Sequence, residues 1–329
     1  MKKKESLFIG TIKNKLTGAA GKKILIPLLL LLFAVSLFPT TAYLRAQTCK
    51  SWQNGWTEWR SGNTEKALES WSKLAFASDL APRPARLLYW RIRALEDLGR
   101  FAEADKLRIK LAKNFPTDFY TFLLFPDGGL CEENDGGFTK KVVRLFHPRP
   151  WVREVTSASK TTGVAEGVIW SLMRRESKFR RDAVSQSGAI GLMQLMPQTA
   201  VEEANSLKIK KSDIYTPEDN ILLGASHFSR MDRRFRGNTV KSVAAYNAGS
   251  GAVAGWGELG SREWAEWVEN IPYAETREFV RSVLENREVY RIVYGENDGK
   301  STLFAIAAEP IIQHMSETHA LRARGSVNK

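Results

Sequence analysis

The chain has 329 residues, of which 43% are hydrophobic and 26% charged, and its formal net charge is +13 at pH 7. This composition predicts folded domains rather than a disordered chain. Residues 1–46 hold eight Lys or Arg against a single Glu, so the rest of the chain carries only +6. The basic residues form neither an aromatic-interleaved platform nor a known binding motif, which excludes nucleic acid as a partner and favours a polyanionic surface or an acidic polymer.

Residues 1–46 have the pattern of an export segment with a basic n-region. Lys22 and Lys23 precede an apolar core at 24–38, and small residues follow it. Cleavage of a signal peptide after Ala42 or Ala46 fits this pattern. An uncleaved inner-membrane anchor over 24–44 fits it too, because about 20 apolar residues span a bilayer. Both alternatives predict that the body of the protein is exported to the periplasm, either soluble or anchored.

Two cysteines and four histidines limit the redox and metal chemistry of the chain. Cys49 and Cys131 have no local spacing signature, so a disulfide and two free thiols both remain open. The scattered His and Cys residues show no zinc-ligand spacing, and we expect neither a metal nor another cofactor.

Residues 49–146 are predicted to form helices with a weak internal repeat. Turns at Gly62 and Gly99 lie 37 residues apart, and an apolar helix follows each of them. The stretch 89–100 resembles the first helix and turn of a tetratricopeptide-type repeat. Because two such repeats rarely bury a core alone, this segment is expected to lean on the next domain. A plain helical spacer and a repeat surface for a protein partner both remain open.

A Gly-rich loop and the sequence His147-Pro148-Arg149-Pro150 mark the predicted boundary of a second domain over 147–297. Within it, Thr216 and Pro217 predict the start of a helix. A last helix is predicted from Glu275 to Tyr294, before Gly295. The polar, basic tail over 298–329 is expected to be partly disordered.

Glu176 closes an apolar helical stripe formed by Ala165, Val168, Leu172 and their neighbours. At 3.6 residues per turn these positions share one face, which is expected to look into a core. Burial of a carboxyl without a cation raises its pKa, as a general acid working near neutral pH requires. Alternatively, Arg174 or Arg175 folds back and neutralises the charge, or the helix ends and the carboxylate reaches water.

Four short stretches of the second half occur together, and they are specific as a set although each alone is weak. They are Glu176-Ser177, Gly191-Leu192-Met193-Gln194-Leu195-Met196-Pro197, Ala245-Tyr246-Asn247-Ala248-Gly249 and Ile271-Pro272-Tyr273-Ala274-Glu275-Thr276-Arg277. In this order and spacing they resemble the catalytic domain of soluble lytic murein transglycosylases, over about residues 150–295. The resemblance implies a mainly α-helical, lysozyme-like fold with at most a small β element, preceded by a helical segment.

The resemblance also implies roles for individual residues. Glu176 matches the family's single catalytic carboxyl, and Glu275 matches an acid implicated in contacts to the peptide part of the substrate. The positions that line the groove around the scissile bond are Ser185, Gln194, Met196 and Tyr246. Two residues depart from the family pattern. Ser187 stands where a small apolar residue is usual, and Phe279 replaces a frequent tyrosine.

The resemblance implies that the substrate is the glycan strand of peptidoglycan. The enzyme would cleave the MurNAc-β-1,4-GlcNAc bond without water and leave 1,6-anhydroMurNAc ends. No motif marks a second carboxyl, and Asp182 is expected at the surface, so the substrate's 2-acetamido oxygen would assist. We therefore expect Glu176 in a cleft, with Tyr246 near it and no other Asp or Glu across it. The alternatives are a hydrolytic, lysozyme-type muramidase and a non-catalytic wall-binding scaffold that uses the repeats.

Other side chains of the second half are assigned either to the substrate or to the core. The Gln194 amide is expected to bond a sugar acetamido group, the alternative being solvent or backbone. Met193 is expected to fill a gap in the core. Three tryptophans, Trp256, Trp264 and Trp267, are expected to pack in the core rather than to stack on sugars.

Overall fold

The computed structural model describes residues 49–74, 84–129, 140–258, 261, 263–295 and 303. Over these residues the protein is mainly α-helical, as predicted. Isolated bridges, Val184 with Ile190 and Ile190 with Leu195, form the small β element. No helix within the described part of the chain combines the length and the apolar character needed to cross a membrane. The predicted leader, the predicted tail apart from Leu303, and Cys131 lie outside the described residues.

The chain divides into two compact units, residues 1–107 and 108–329. The domain boundary expected before residue 147 stays a prediction. The first unit contains the helices α1 (residues 49–60), α2 (Thr64–Ser72), α3 (Pro84–Asp97) and α4 (Phe101–Asn114). Helix α4 continues beyond residue 107. The helices of the second unit are α5 (Phe119–Phe122), α6 (Lys140–Phe146), α7 (Val152–Thr162), α8 (Glu166–Ser177), α9 (Pro197–Ser206), α10 (Pro217–Arg234), α11 (Thr239–Ala248), α12 (Ser250–Trp256), α13 (Trp264–Asn270) and α14 (Ala274–Tyr294).

Aromatic residues form the core of the first unit. The rings of Trp71 and Trp90 are fully buried, and Trp59 packs against both. Gly62 and Gly99 have φ angles of +79° and +71°, a conformation that glycine adopts without strain. The two predicted turns are therefore present, whereas the tetratricopeptide-type assignment stays a prediction.

The helix that carries Glu176, α8, lies at the centre of the second unit. It packs on α7 and on the long final helix α14, which also contacts α11. Ile169, Trp170, Leu172 and Met173 of α8 have essentially no exposed surface, because the apolar stripe predicted from the sequence faces these helices. The site residue is thus held at the end of a rigid, buried helix.

The helix ends follow the local sequence signals. Thr216 caps α10 by accepting a hydrogen bond from the backbone N–H of Asp219, and Pro217 occupies the first turn. Gly295 ends α14 in a left-handed conformation with φ +69°. Both predicted boundaries are confirmed, the second to within one residue at its start.

A buried ionic cluster joins α5 to α13 and α14. Arg281 is fully buried and donates to Glu269 at 2.7 Å and to Glu278 at 2.5 Å. The hydroxyl of Tyr120 donates to the same Glu269 carboxylate. Burial alone would lower the pKa of Arg281, but the charges of Glu269, Tyr120 and Glu278 and the hydrogen bond to Glu278 together outweigh it and raise that pKa. The cluster therefore fixes α13 against the start of α14, where Glu275 lies.

Candidate active site

A cavity of about 280 Å³ opens in the second unit. It brings together all six predicted site residues, although they are spread over about a hundred positions in the chain. The residues that line it are Glu176, Ser185, Ser187, Ala189, Gln194, Leu195, Met196, Thr199, His227, Tyr246, Asn247 and Glu275. The structure thus places the predicted residues in one pocket, while the roles assigned to them stay predictions.

Glu176 lies in the last turn of α8 and is half-buried. Burial raises the pKa of its carboxyl to about 8, against the opposing charge of Arg175 and with a smaller contribution from the like charge of Glu275. No hydrogen bond or ion pair joins this carboxyl to another described residue. A carboxyl in this state is protonated at neutral pH and is able to donate its proton.

The two neighbouring arginines do not neutralise Glu176 by direct pairing. Arg174 donates through Nε to the Asn286 side chain at 3.1 Å. Arg175 lies over the Phe279 ring, 5.6 Å from its centroid, and acts on Glu176 only through its charge. The alternative in which an arginine folds back onto the carboxylate is therefore not what the structure contains.

A turn directly after Glu176 redirects the chain into the loop that forms the pocket wall. Lys178 and Phe179 have φ angles of +51° and +65°, which end the helix. The Ser177 hydroxyl lies 3.1 Å from the Met173 carbonyl and 2.9 Å from the Leu192 carbonyl, and it links the helix end to the loop. The end of the helix that carries Glu176 is thereby tied to the segment that carries Gln194.

Asn220 of α10 anchors this loop through three hydrogen bonds to its backbone and to the backbone of Ile214. Its Oδ1 accepts from the Met193 N–H at 2.8 Å, and its Nδ2 donates to the carbonyls of Ile190 and Ile214 at 3.0 and 2.9 Å. Gly191 has φ +81°, and a Cβ there would lie 2.3 Å from Asn220 Nδ2. The glycine of the GLMQLMP stretch is therefore required by this close approach.

Gln194 uses one end of its side-chain amide to hold the loop. Its Nε2 donates to the carbonyls of Ala183 at 3.0 Å and Gly191 at 2.9 Å. Both amide protons are then used, so the side-chain oxygen is the group left for a ligand. The alternative in which Gln194 bonds to the backbone is therefore correct for its side-chain nitrogen. The predicted hydrogen bond to a sugar acetamido group stays a prediction for its side-chain oxygen.

Ser185 and Met196 form opposite ends of the same loop wall. The Ser185 hydroxyl accepts from the Ala189 N–H at 2.9 Å and lies 3.0 Å from the Ser187 hydroxyl. Met196 is exposed at the start of α9 and lines the cavity. Ser187, the departure from the family pattern, therefore adds a hydroxyl to this wall.

Tyr246 is held by contacts on three sides. Its hydroxyl donates to the Met193 carbonyl at 2.8 Å, its ring stacks on Phe279 with an interplanar angle of 5°, and His227 meets it edge-on. Burial raises the pKa of Tyr246 well above its usual value, and the charges of Glu176 and Glu203 raise it further. Tyr246 therefore stays neutral, and its proton points to the loop backbone rather than to Glu176.

The expectation that no second carboxyl lies across the cleft is wrong. Glu275, exposed in the first turn of α14, lines the same cavity and acts on Glu176 as a like charge. Glu275 belongs to one of the four stretches, so the sequence already marked it as a site residue. Its position opposite Glu176 follows only from the packing of α14 beside the pocket. Asp182 is exposed, as expected.

Sequence reasoning missed three polar residues of the pocket: Thr199, His227 and Asn247. His227 lies one residue before the buried Phe228, at the edge of the apolar stripe of α10, which is the only signal it carries. Asn247 accepts a hydrogen bond from the Thr276 hydroxyl at 2.6 Å and so ties α11 to the start of α14.

The remaining predictions concern core packing. Met193 is fully buried against Gly224, where an added Cβ would lie 2.5 Å from it. Trp267 is buried, and Trp256 and Trp264 pack against its ring. The core assignment is confirmed for Met193 and Trp267, whereas Trp256 and Trp264 are half-buried beside Trp267. No group of three His, Cys, Asp or Glu side chains among the described residues is arranged to hold a metal ion.

Residues 154–265 match the family model of the transglycosylase SLT domain. The soluble lytic murein transglycosylase of Escherichia coli K12 is 34% identical over 139 residues, which cover 40% of this chain and 22% of that protein. A putative soluble lytic murein transglycosylase of Haemophilus influenzae is 31% identical over 156 residues, 46% of this chain and 26% of that protein. The membrane-bound lytic murein transglycosylase C of Mannheimia succiniciproducens is 32% identical over 117 residues, 32% of this chain and 33% of that protein.

Two solved structures share the fold. An inactive mutant of lytic transglycosylase Slt from Pseudomonas aeruginosa superposes with a TM-score of 0.63 at 24% identity, covering 77% of this chain and 52% of that one. The 70-kDa soluble lytic transglycosylase in complex with bulgecin A superposes with a TM-score of 0.64 at 20% identity, covering 78% and 52%.

Together with the lysozyme-like helical fold and the pocket around Glu176, these matches define the class of the second unit as a transglycosylase SLT domain. Residues 154–265 of the chain therefore carry this domain. It spans about a quarter to a third of the length of the curated relatives cited above.

Proposed function

We propose that this protein is a peptidoglycan lytic transglycosylase that cleaves the MurNAc-β-1,4-GlcNAc bond without water and leaves 1,6-anhydroMurNAc ends. One observation carries the proposal. The Glu176 carboxyl is desolvated in the cavity, with a pKa of about 8, and no described residue pairs with it. A proton donor is therefore present where a glycan strand would bind, and the family of the domain supplies the class of substrate.

In the first step, Glu176 protonates the glycosidic oxygen and the bond between that oxygen and C1 of MurNAc breaks. The positive charge that develops at C1 needs a stabilising oxygen, which the substrate's own 2-acetamido group supplies. The free Oε1 of Gln194 is suited to accept the acetamido N–H and to orient its carbonyl oxygen towards C1. The protein would thus position the assisting group of the substrate.

In the second step, the Glu176 carboxylate removes the proton of the MurNAc 6-hydroxyl. The 6-oxygen forms a bond to C1 as the acetamido oxygen leaves, which closes the 1,6-anhydro ring. The carboxyl ends the cycle protonated again, as its pKa of about 8 requires at neutral pH. A single residue that alternates as acid and base accounts for the reaction.

A hydrolytic muramidase is the second candidate, and Glu275 is the observation that favours it. Glycosidases that use water employ two carboxyl groups, and Glu275 faces the same cavity as Glu176. Against it, Glu275 is exposed and affects the pKa of Glu176 less than burial does. We therefore assign Glu275 to substrate contacts rather than to activation of water.

Digestion of purified murein sacculi, followed by mass spectrometry of the released muropeptides, tests the proposal. The account predicts products that end in 1,6-anhydroMurNAc, whereas reducing ends would establish the hydrolase. The Glu176→Gln variant is expected to release no product, and the Asp182→Asn variant, which changes an exposed carboxyl, is expected to keep full activity. Sacculus binding by the unmodified protein without any product would establish the scaffold alternative.

We further propose export to the periplasm, with residues 24–44 either removed or retained as an inner-membrane anchor. The apolar core and the preceding lysines support this location. The repeat-like first unit is proposed to offer a surface to a protein partner. N-terminal sequencing of the mature chain and fractionation of cells test the location, and a start at Met1 in the membrane fraction would establish the anchor.

A further inference from the structure

We propose that His227 is a substrate-binding residue of the pocket, whose imidazole is positioned by Glu203 so that Nε2 faces the glycan strand. The inference deepens the proposed function and rests on it, because it concerns the same cavity. His227 is not part of the four stretches that carry the family resemblance.

The placement of His227 is the first support. Its side chain is 16% exposed and lines the cavity that also contains Glu176. The imidazole meets the Tyr246 ring edge-on, with the centroids 5.2 Å apart. Tyr246 lines the same cavity, so the imidazole lies in the pocket of the proposed reaction centre.

Glu203 is a buried carboxylate with a full set of donors. Its side chain is 2% exposed, and it accepts from the Ser226 hydroxyl at 2.7 Å and from Arg230 Nε at 2.8 Å. Burial alone would raise the pKa of Glu203, but the hydrogen bonds from His227 and Ser226 and the charge of Arg230 outweigh it and lower that pKa. Glu203 is therefore ionised at neutral pH and acts as an acceptor.

The partners of Nδ1 determine which ring nitrogen carries the proton. Nδ1 lies 3.2 Å from Glu203 Oε1 and 3.1 Å from the Arg230 guanidinium. The Arg230 Nε proton and one of the two Nη2 protons are directed to Glu203 Oε1, at 2.8 and 2.7 Å, and only the second Nη2 proton is able to reach Nδ1. The hydrogen bond between His227 and Glu203, which lowers the pKa of that carboxyl, is made by a protonated Nδ1, as in other carboxylate–histidine pairs.

This arrangement leaves Nε2 as an acceptor within the pocket. No described residue bonds to it, since both hydrogen-bond contacts of the ring involve Nδ1. A sugar hydroxyl or an acetamido N–H is the complementary donor. His227 would therefore bind the glycan directly, and Glu203 would be a positioning residue that acts through it.

Binding in a non-cleaving background tests His227. The full-length Glu176→Gln protein is titrated with purified, peptide-free murein glycan fragments by calorimetry, alone and with a second substitution at His227. His227→Phe keeps a ring against Tyr246, His227→Asn keeps a polar atom near Nδ1, and His227→Gln keeps one near Nε2. Loss of a ligand hydrogen bond is expected to weaken binding by about ten-fold for Phe and Asn. Gln is expected to stay within about two-fold. Equal affinity in all four proteins, at matched melting temperatures, would overturn the proposal.

Nitrogen NMR of the imidazole tests the positioning role without any ligand. At neutral pH the His227 resonances, assigned by their loss in His227→Phe, are expected to show a protonated Nδ1 and an unprotonated Nε2. Glu203→Gln is expected to change this pattern, and Glu202→Gln, next to it but 51% exposed, is expected to leave it unchanged. A protonated Nε2 in the unmodified protein would contradict the assignment. These measurements involve no turnover, so reducing ends from sacculi would remove the proposed reaction and leave the binding role intact.

Discussion

The Tyr246 hydroxyl donates its proton to the Met193 carbonyl oxygen at 2.8 Å and so joins two of the four sequence stretches that define the site. Met193 is buried in the loop anchored by Asn220, and Tyr246 lies on α11. The bond commits the phenol proton to the backbone and leaves an oxygen lone pair for the pocket. Tyr246 is therefore placed to order the loop and to accept, rather than donate, a hydrogen bond in the pocket.

Replacement of Tyr246 by Phe is expected to leave the Met193 carbonyl without this donor and to lower the free energy of unfolding by about 1–3 kcal/mol. The ring stack on Phe279 is retained in this variant, so urea denaturation measures the loss of the hydroxyl alone. Unchanged stability would contradict the bond. Product release from sacculi is expected to fall as well, since the loop carries Gln194.

The pH dependence of activity is expected to follow the protonation of Glu176. Because the protonated carboxyl is the active form, kcat/KM measured with soluble glycan fragments is expected to fall about ten-fold per pH unit above pH 8. Two variants are expected to shift this alkaline limb of the kcat/KM profile, the part that falls above pH 8, in opposite directions. Arg175→Met removes a charge that lowers the pKa and moves the limb to higher pH, and Glu275→Gln removes a charge that raises the pKa and moves it to lower pH. Shifts in the same direction would contradict the electrostatic account.

Glu176 is also expected to make the stability of the fold depend on pH. Its pKa in the folded protein, about 8, lies above the ordinary value of 4.5 for a solvated Glu, so ionisation of the folded form costs free energy. The cost is absent below pH 4.5, grows up to pH 8 and is constant above it. Glu176→Gln removes this cost of ionisation. The substitution is therefore expected to raise the free energy of unfolding by about 2–4 kcal/mol more at pH 9 than at pH 5. Thermal unfolding at the two pH values measures the difference, with Asp182→Asn as the exposed control. Equal effects at both values would show that the carboxyl is solvated.

Asn220→Asp is expected to lower the free energy of unfolding by about 2–4 kcal/mol. The change is isosteric and keeps the acceptor for the Met193 N–H, but it removes the two protons donated to Ile190 and Ile214. Asn54→Asp, at an exposed helix position, is the control and is expected to change stability little. Equal effects of the two substitutions in urea denaturation would contradict the anchoring role.

Arg281→Met is expected to lower the free energy of unfolding by about 3–5 kcal/mol, because it removes the guanidinium that pairs with the buried Glu269 carboxylate at 2.7 Å. Arg153→Met, at an exposed position of α7, is the control. The double variant Arg281→Met with Glu269→Gln is expected to recover part of the loss, since the buried charge is then gone. A double variant no more stable than Arg281→Met alone would assign the loss to packing.

Much of the site was predictable because its residues lie in local patterns. The stripe over α8 placed Glu176 at the end of a core-facing helix and left a buried, a paired and a solvated carboxyl as alternatives, and Thr216 and Gly295 marked helix ends through their backbone preferences. The shared pocket of Gln194, Tyr246 and Glu275 followed from a resemblance to a family, not from periodicity.

The features that were not predictable depend on packing between distant elements. The pair of Glu203 and His227 forms only when α9 packs on α10, and neither residue has a local signal for it. The inward direction of the Gln194 amide nitrogen depends on a left-handed backbone, with φ +49°, that a non-glycine residue rarely adopts. Glu275 reaches the pocket because the start of α14 is tied to α11 through Asn247 and Thr276.

Digestion of sacculi in ¹⁸O-labelled water tests the central claim most directly, that Glu176 alone serves as acid and base and that water takes no part. Mass spectrometry of the new glycan ends is the readout. The account predicts 1,6-anhydroMurNAc ends without the heavy isotope, formed by the unmodified protein and not by Glu176→Gln. Reducing ends that carry ¹⁸O would contradict it and would assign Glu275 to the activation of water.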